Sequence, residues 1–335
     1  MTIDPRQAVR TGLACILSAT VLYASVPVFL RYFATQTVVK PDAFTVNGIR
    51  YGVAALVWLP VAVLGNRWLR RTGRLTTPRP VWIAAIVPAV VNIIMQTGWA
   101  HCPYYVEPAV VGFSVRISFL FAILLGFLFV RRERRLARSP LFWTGAAISL
   151  LGLVVVLGLE MATSGEALVT GWKGPAIVLV TALFWAGYAV SVKVFMPGYP
   201  SWLSFGVICL YTAAGLEVLM LTNGNYTEAA NLSGGNLLLM VVSALVGITA
   251  SHVLLYSAIH NLGPVVANGA LMVTPFVTLV LSVLFLGEAL SGGQFAGGLL
   301  LVTGGGMLVW SNSRIAAREA ALASPGAPPS GEDAS

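Results

Sequence analysis

Residues 184–195, FWAGYAVSVKVF, repeat without a gap the pattern of residues 22–33, LYASVPVFLRYF. In both stretches an aromatic residue and two small residues precede an apolar segment with a cation near its end, Arg31 or Lys193. Each stretch closes an apolar run of about 20 residues, the length that a helix needs to cross the hydrocarbon core of a bilayer. The match therefore indicates a membrane protein whose second half repeats its first.

Apolar runs of this length recur along the whole chain, and the connections between them are short. The ten predicted spans are residues 11–33, 43–64, 81–99, 107–130, 141–158, 174–195, 201–222, 236–258, 264–286 and 292–312. A copy made of five spans must enter the membrane from the side opposite to the original. We therefore predict an all-α integral membrane protein with ten transmembrane helices, arranged as two inverted five-helix repeats.

Two further matches between the halves occur in the same order along the chain. The matching residues are Val130-Arg131-Arg132-Glu133 and Leu286-Gly287-Glu288 at the ends of spans four and nine, and Gly145 and Gly152 with Gly297 and Gly304 in spans five and ten. The predicted organisation is a cytoplasmic N-terminus (1–10), a first repeat (11–158), a second repeat (174–312) and a disordered cytoplasmic tail (313–335). The tail is rich in Ala, Ser, Pro and Gly and cannot bury a core.

The composition excludes a soluble protein. The chain has 335 residues, of which 57% are hydrophobic and only 10% are charged, and its mean hydropathy is +0.85. Soluble domains carry about 25% charged residues. The net charge of +8 does not indicate nucleic-acid binding, because the cations are sorted by membrane side and form no soluble basic face. The three scattered cysteines predict neither a metal site nor a disulfide framework.

Lys and Arg counts set the predicted orientation, because cytoplasmic loops are enriched in these residues. With the N-terminus inside, the outer segments hold only Arg31, Lys40 and Lys173, and the inner loops hold most of the arginines, including the run 131–138. We predict a multi-pass protein of the plasma (bacterial inner) membrane with both termini cytoplasmic. A signal peptide ending near Ala24 is the alternative interpretation of the first span.

These features resemble the EamA family of the drug/metabolite transporter superfamily. The resemblance rests on the aromatic-small-cation endings of spans one and six, Arg50 inside span two, the glutamates that close spans four and nine, and the glycine pairs of spans five and ten. It covers about residues 11–312. It implies a ten-span permease or exporter of small metabolites, a group that includes amino acids, nucleotide sugars and drugs.

Arg116 is the strongest candidate for binding a solute. It lies about nine residues into span four, roughly 14 Å deep, where its charge is costly unless it meets an anion. A guanidinium group matches a carboxylate or a phosphate. The alternative is a permanent bridge to a protein carboxylate or to backbone carbonyls.

Other polar and aromatic side chains lie within the predicted spans, and each has a functional and a structural interpretation. Asn92, Gln96 and Trp99 share one face of span three, which either binds solute or makes interhelical hydrogen bonds. Tyr23, Trp185 and Tyr188 lie near mid-depth, where aromatic rings either stack on a solute or pack against each other. The predicted substrate-binding residues are Arg116, Asn92, Gln96, Trp185, Tyr188 and Tyr23.

Glu217, His252 and Arg50 form the predicted proton-coupling or gating set. A buried carboxyl group such as that of Glu217 can take up a proton, whereas a nearby arginine would keep it ionised. Glu217 and Arg50 lie at similar depths, so a structural ion pair between them is the competing interpretation. His252 ordinarily titrates near neutrality, but a lone buried histidine is more often a hydrogen-bonded structural residue.

The sequence thus predicts a secondary active transporter that moves a small organic metabolite by alternating access, with export as the favoured direction. An amino acid or another carboxylate-bearing solute suits Arg116. The alternatives are an exporter of drugs or cationic compounds, a channel, and an intramembrane enzyme. The enzyme is disfavoured because the histidines form no metal-binding or nucleophile-base motif, and no cofactor is expected. The expected partners are the solute, membrane lipids and a second copy, since the glycine pairs suit either a dimer contact or packing within one chain.

Overall fold

A computed structural model of the chain describes residues 5–36, 41–75, 77, 79–105, 118–164, 173–286 and 291–323. All regular structure in these ranges is helical. The α-helices are α1 (Pro5–Gln36), α2 (Ala43–Arg71), α3 (Val81–Ala84), α4 (Ile86–Tyr105), α5 (Ser118–Phe129), α6 (Pro140–Ser164), α7 (Lys173–Phe195), α8 (Ser201–Asn223), α9 (Tyr226–Ala229), α10 (Gly234–Ala244), α11 (Ser251–Leu262), α12 (Pro264–Ala270), α13 (Thr274–Leu286) and α14 (Gly292–Ala323). Two 3₁₀ segments, Arg131–Arg138 and Leu271–Val273, and a π-helix, Leu245–Ala250, complete the list.

The helices make the chain an all-α, multi-pass membrane protein. Within the described ranges, eight helical stretches are long and apolar enough to cross a membrane. Two shorter apolar helices, Ser118–Phe129 and Pro140–Val155, fall within predicted spans four and five. Residues 107–117 of predicted span four lie outside the described residues.

Prolines account for the breaks inside two predicted spans. A proline has no N–H to donate to the carbonyl four residues earlier, so the helix is interrupted on its N-terminal side. The break between α3 and α4 at Ala85 lies just before Pro88, and the 3₁₀ segment Leu271–Val273 lies just before Pro275. The helix interruptions in predicted spans three and nine therefore coincide with these prolines. By contrast, α1 continues as one helix past Pro27.

The packing of the helices is nearly unchanged when the two halves of the chain are exchanged. Helix α1 packs against α11 and α13, and their counterparts α7, α4 and α5 pack in the same way, with α7 against α4 and α5. Helix α2 packs against its own counterpart α8, and α6 packs against its counterpart α14. The bundle is thus built mainly from contacts between the halves.

The matched glycines bring α6 and α14 into backbone contact. A Cβ added to Gly152 would lie 2.7 Å from the carbonyl oxygen of Gly297, and one added to Gly304 would lie 2.7 Å from that of Gly145. Such distances leave no room for a side chain. The glycine pairs therefore serve packing inside one chain, which was one of the two interpretations that the sequence allowed.

One end of the bundle, here called the basic end, collects the arginine-rich connections. The Tyr199 hydroxyl donates to the carbonyl of Arg79, and Arg135 forms an ion pair with Glu319. Lys193 donates from Nζ to the carbonyls of Ile259 and His260 at distances of 3.1 and 2.5 Å. A cation here suits the negative end of the α11 dipole.

The prediction of a disordered tail from residue 313 is wrong for its first part. Helix α14 continues to Ala323, and Glu319 on its last turns holds Arg135 of the 3₁₀ segment. The sequence Ser313-Arg314-Ile315-Ala316-Ala317-Arg318-Glu319 is rich in good helix formers. Composition alone therefore placed the end of the helix too early. Residues 324–335 lie outside the described residues.

Glu133 closes span four by packing onto the start of span nine. Glu133 is 4% exposed, with its carboxyl group against Gly263 and its methylene carbons against Gly126. Gly263 has a φ of +92°, which favours glycine, and a Cβ there would also overlap Glu133. Glu133 thus sets a helix junction, and its predicted counterpart Glu288 lies outside the described residues.

At the opposite end, Asp42 fixes the start of α2. Its carboxylate accepts hydrogen bonds from the N–H groups of Phe44 and Thr45, from the Thr45 hydroxyl, and from the Asn225 N–H after α8. Burial opposes ionisation, but these hydrogen bonds outweigh it and lower the pKa of this carboxyl below its ordinary value. The ionised Asp42 therefore contributes its full stabilisation of the folded protein above the ordinary pKa of aspartate, about 3.9. This stabilisation is lost as the pH falls through the lower pKa that Asp42 has in the folded protein.

We expect Asp42→Ala to destabilise the protein by about 1–2 kcal/mol, because it removes the N-cap of α2 and the hydrogen bond to Asn225 after α8. The thermal unfolding midpoint in detergent at neutral pH measures the effect. Asp42→Asn is the control, since asparagine caps helices about as well as aspartate and should retain most of the stability. Equal midpoints for Asp42→Ala and wild type would contradict the assigned role.

Candidate functional site

Aromatic side chains from both halves of the chain meet in the middle of the bundle. This central aromatic cluster consists of Tyr23 on α1, Trp99 on α4, Trp185 and Tyr188 on α7, Phe205 on α8, and His252 and Tyr256 on α11. The structure thus brings three predicted solute contacts, Tyr23, Trp185 and Tyr188, to one place.

Trp185, from the second half of the chain, contacts both aromatic residues that the first half contributes to the cluster. Its ring centroid lies 6.4 Å from that of Tyr23 and 5.8 Å from that of Trp99. All three rings are only partly buried, although Tyr188 beside them on α7 is 2% exposed. Aromatic surface therefore remains available here for a flat or apolar group.

His252 is held firmly inside the cluster. Its ring stacks on Phe205 at 5.2 Å and meets Tyr23 edge-on at 5.3 Å. Its Nδ1 lies 3.0 Å from the carbonyl of Ile248, one turn earlier. These contacts match the structural interpretation of His252. Because Nδ1 is engaged with Ile248, a proton-coupling role would have to use Nε2.

The hydroxyls of Tyr188 and Tyr256 form a hydrogen bond with each other, and Tyr256 also lines a cavity. The cavity has a volume of about 80 Å³ and opens at the basic end. Its lining includes Tyr256 at the inner end and Lys193, Tyr199 and His260 nearer the surface. A solute entering from the basic end would therefore meet the cluster first at Tyr256.

The polar face of α4 points into the bundle, as predicted. The Asn92 side chain is 0% exposed, and its Nδ2 donates to the Thr212 hydroxyl on α8 at 2.9 Å. Gln96 is 7% exposed, and its backbone carbonyl accepts a 2.9 Å hydrogen bond from Asn47 on α2. Asn92 thus makes the interhelical bond of the structural interpretation, while its Oδ1 has no partner among the described residues.

Arg50 and Glu217 do not form an ion pair. The Arg50 guanidinium is directed to α10, where Nη2 lies 3.4 Å from the carbonyl of Ser243. Glu217 lies against Gly52, where an added Cβ would be 2.5 Å from its Oε1. Residues 50 and 52 of one helix point about 200° apart, so a carboxylate at Gly52 faces away from Arg50. The structural pairing of the two charges is therefore absent.

Arg116 lies outside the described residues, so its assignment stays a prediction. Sequence analysis did not select Tyr51, Phe205 or Tyr256 as site residues. Tyr51 follows Arg50 directly and is 1% exposed, beside Asn92. Its mid-span position was a usable signal, whereas Phe205 looks like any apolar residue of span seven and only the contact with His252 distinguishes it.

The comparisons with known proteins agree with this architecture. A crystal structure aligns with 91% of this chain and 99% of its own, with a TM-score of 0.66 and 18% sequence identity. At that identity the likeness shows a shared fold and nothing about the solute. The search of curated proteins gives no match. Residues 172–310 match the EamA-like transporter family. An EamA-like transporter domain is therefore found at residues 172–310, which is consistent with the drug/metabolite transporter superfamily.

Proposed function

We propose that the protein is a secondary active transporter that carries a small organic solute through the central aromatic cluster by alternating access. The observation that carries this proposal is the cluster itself, which α1 and α4 of the first half build together with α7, α8 and α11 of the second half. A site at the junction of two repeats can be exposed to either side by rocking one half against the other.

Ten spans in two inverted repeats, residues 11–158 and 174–312, are part of this proposal. Its support is the packing pattern, which maps onto itself when the halves are exchanged, together with the odd number of predicted spans in each half. The basic end is the cytoplasmic side in this proposal, because it collects the arginine-rich connections. Both termini then lie in the cytoplasm, and the membrane is the plasma (bacterial inner) membrane.

The favoured cargo is an amino acid or another solute with a carboxylate, and the favoured direction is export. Arg116 and Arg50 are the intramembrane cations that suit such a group. A cationic drug is the second candidate, and the aromatic cluster favours it, since Trp and Tyr faces attract cations.

Counterflow on purified protein in liposomes tests the proposal. Vesicles preloaded with one unlabelled compound are exposed to its labelled form, over a panel of amino acids, organic acids and cationic drugs. We expect accelerated uptake for at least one class relative to protein-free vesicles. Passive flux that does not saturate with concentration would indicate a channel instead, and no flux over the whole panel would overturn the proposal.

Glu217 is expected to couple transport to protons. Glu217 lies within a membrane span and forms no ion pair among the described residues. Acidic residues inside membrane spans often serve as proton relays. Glu217→Gln should abolish accumulation driven by an imposed pH gradient and leave counterflow, which needs no net proton movement, within about twofold of wild type. Both assays use the same proteoliposomes. Undiminished pH-driven accumulation by Glu217→Gln would assign the coupling elsewhere.

A further inference from the structure

Arg50 is a buried cation in the middle of the bundle without a carboxylate beside it. Its side chain is 5% exposed, and its Nε has no acceptor among the described residues. Its Nη2 makes a long hydrogen bond of 3.4 Å to the carbonyl of Ser243. A buried charge with so little compensation is costly unless an anion completes the site.

The acidic side chains that the structure describes are all engaged elsewhere. Asp42 caps α2, and Glu217 faces Gly52 on the other side of the same helix. Glu133 packs at Gly263, and Glu319 holds Arg135, both at the basic end. None of these four carboxylates therefore neutralises Arg50.

The backbone around Arg50 is shaped to leave room for its guanidinium. The π-helix Leu245–Ala250 packs against α1 and α2, and π-helical turns are frequent at functional sites. Within it, a Cβ added to Gly247 would lie 3.1 Å from Nη2 of Arg50 and 2.4 Å from Cγ2 of Val26. A larger residue at position 247 would crowd the charged group.

Other polar atoms near Arg50 also lack a well-formed hydrogen bond. The buried hydroxyls of Tyr23 and Tyr51 have no partner at ordinary hydrogen-bond geometry among the described residues, although Ser251 lies near the first and Asn92 near the second. Tyr51 neighbours both Arg50 and Tyr23, and Tyr23 borders Trp185 and His252 in the aromatic cluster. Two hydroxyl donors and a guanidinium fork are complementary to the oxygens of a carboxylate.

We propose that Arg50, with the hydroxyls of Tyr51 and Tyr23, binds the carboxylate of the transported solute, while the aromatic cluster holds the rest of the molecule. This assignment rests on the proposed transport function and names the chemical class of its cargo. It replaces the gating or proton-coupling role that the sequence suggested for Arg50.

Paired probes test the assignment. Labelled amino acids and the corresponding amino acid amides differ at the carboxyl group, which the amide leaves uncharged. We expect the wild-type protein in liposomes to prefer the acids. Arg50→Gln should lower uptake of the acids at least about tenfold and remove the preference over the amides, whereas Arg50→Lys should retain part of it. Normal elution on size exclusion is the check on folding.

Tyr51→Phe provides a milder variant that removes only a hydroxyl. It should raise the half-saturation concentration for the acids about threefold or more and leave the amides unchanged. Arg116→Gln is the comparison variant, since Arg116 is the other intramembrane arginine proposed to meet an anion. Loss of acid preference in Arg116→Gln with full preference in Arg50→Gln would overturn the inference and leave the transport function standing.

A wild-type protein that exchanges only neutral or cationic compounds would also overturn the carboxylate assignment without affecting the transport function. The absence of exchange for every compound would instead remove the proposed function, and this inference with it. The two failures are therefore distinguishable in one set of vesicles.

Discussion

Gly304→Ala is expected to lower the unfolding midpoint of the protein in detergent by about 5 °C, whereas Gly306→Ala is expected to leave it unchanged or raise it slightly. A Cβ on Gly304 would lie 2.5 Å from the backbone N of Ser149 and 2.7 Å from the carbonyl oxygen of Gly145. Backbone atoms cannot move aside as a flexible side chain can, so α6 and α14 would have to separate. That contact is the main attachment between the last helices of the two halves.

Gly306 is a matched control because it lies on the same helix and has no atom within 4 Å of its added Cβ. Replacing a helical glycine with alanine removes backbone freedom and stabilises by roughly 0.5–1 kcal/mol where space allows. The two variants therefore share the gain in helix propensity and differ only in the contact. Scanning fluorimetry on both proteins measures the difference. Equal midpoints would show that α6 and α14 are not in close contact in the folded protein.

The sequence predicted the helices well because the membrane imposes their length. The starts of α2, α7, α8 and α12 lie within about two residues of the predicted spans, since Pro, Gly and polar clusters end each apolar run. The helical extension of α14 was missed because Ala/Arg/Glu segments outside the membrane carry no hydropathy signal. The glycine spacing predicted a close approach of two helices but not whether they belong to one chain or to two. The contact of α6 with α14 shows that the approach occurs within one chain.

The candidate site was predictable in its residue types but not in its connections. Tyr23, Trp185 and Tyr188 were selected because aromatic rings at mid-depth are unusual, and they do meet. Arg50 and Glu217 were considered as a pair because depth along a helix can be read from sequence. The direction in which each side chain points depends on helix rotation, which sequence depth does not encode, and rotation places Glu217 on the far side of α2.

Trp185→Ala is expected to reduce transport about tenfold or more, chiefly by raising the half-saturation concentration of the solute. The indole of Trp185 contacts both Tyr23 of α1 and Trp99 of α4, so its removal opens the cluster where the halves meet. The lost aromatic surface accounts for an effect of this size in solute binding. Initial rates of uptake over a range of solute concentrations measure it.

Trp310→Ala makes the same chemical change on the outside of the bundle. Trp310 is 53% exposed, and its ring stacks with Arg314 on its own helix, 4.7 Å from the guanidinium carbon. This variant should transport within about twofold of wild type, because lipid can replace the contacts that an exposed indole makes. Comparable losses in both variants would mean that tryptophan removal acts through general stability. An unchanged half-saturation concentration in Trp185→Ala would exclude the indole of Trp185 from solute binding.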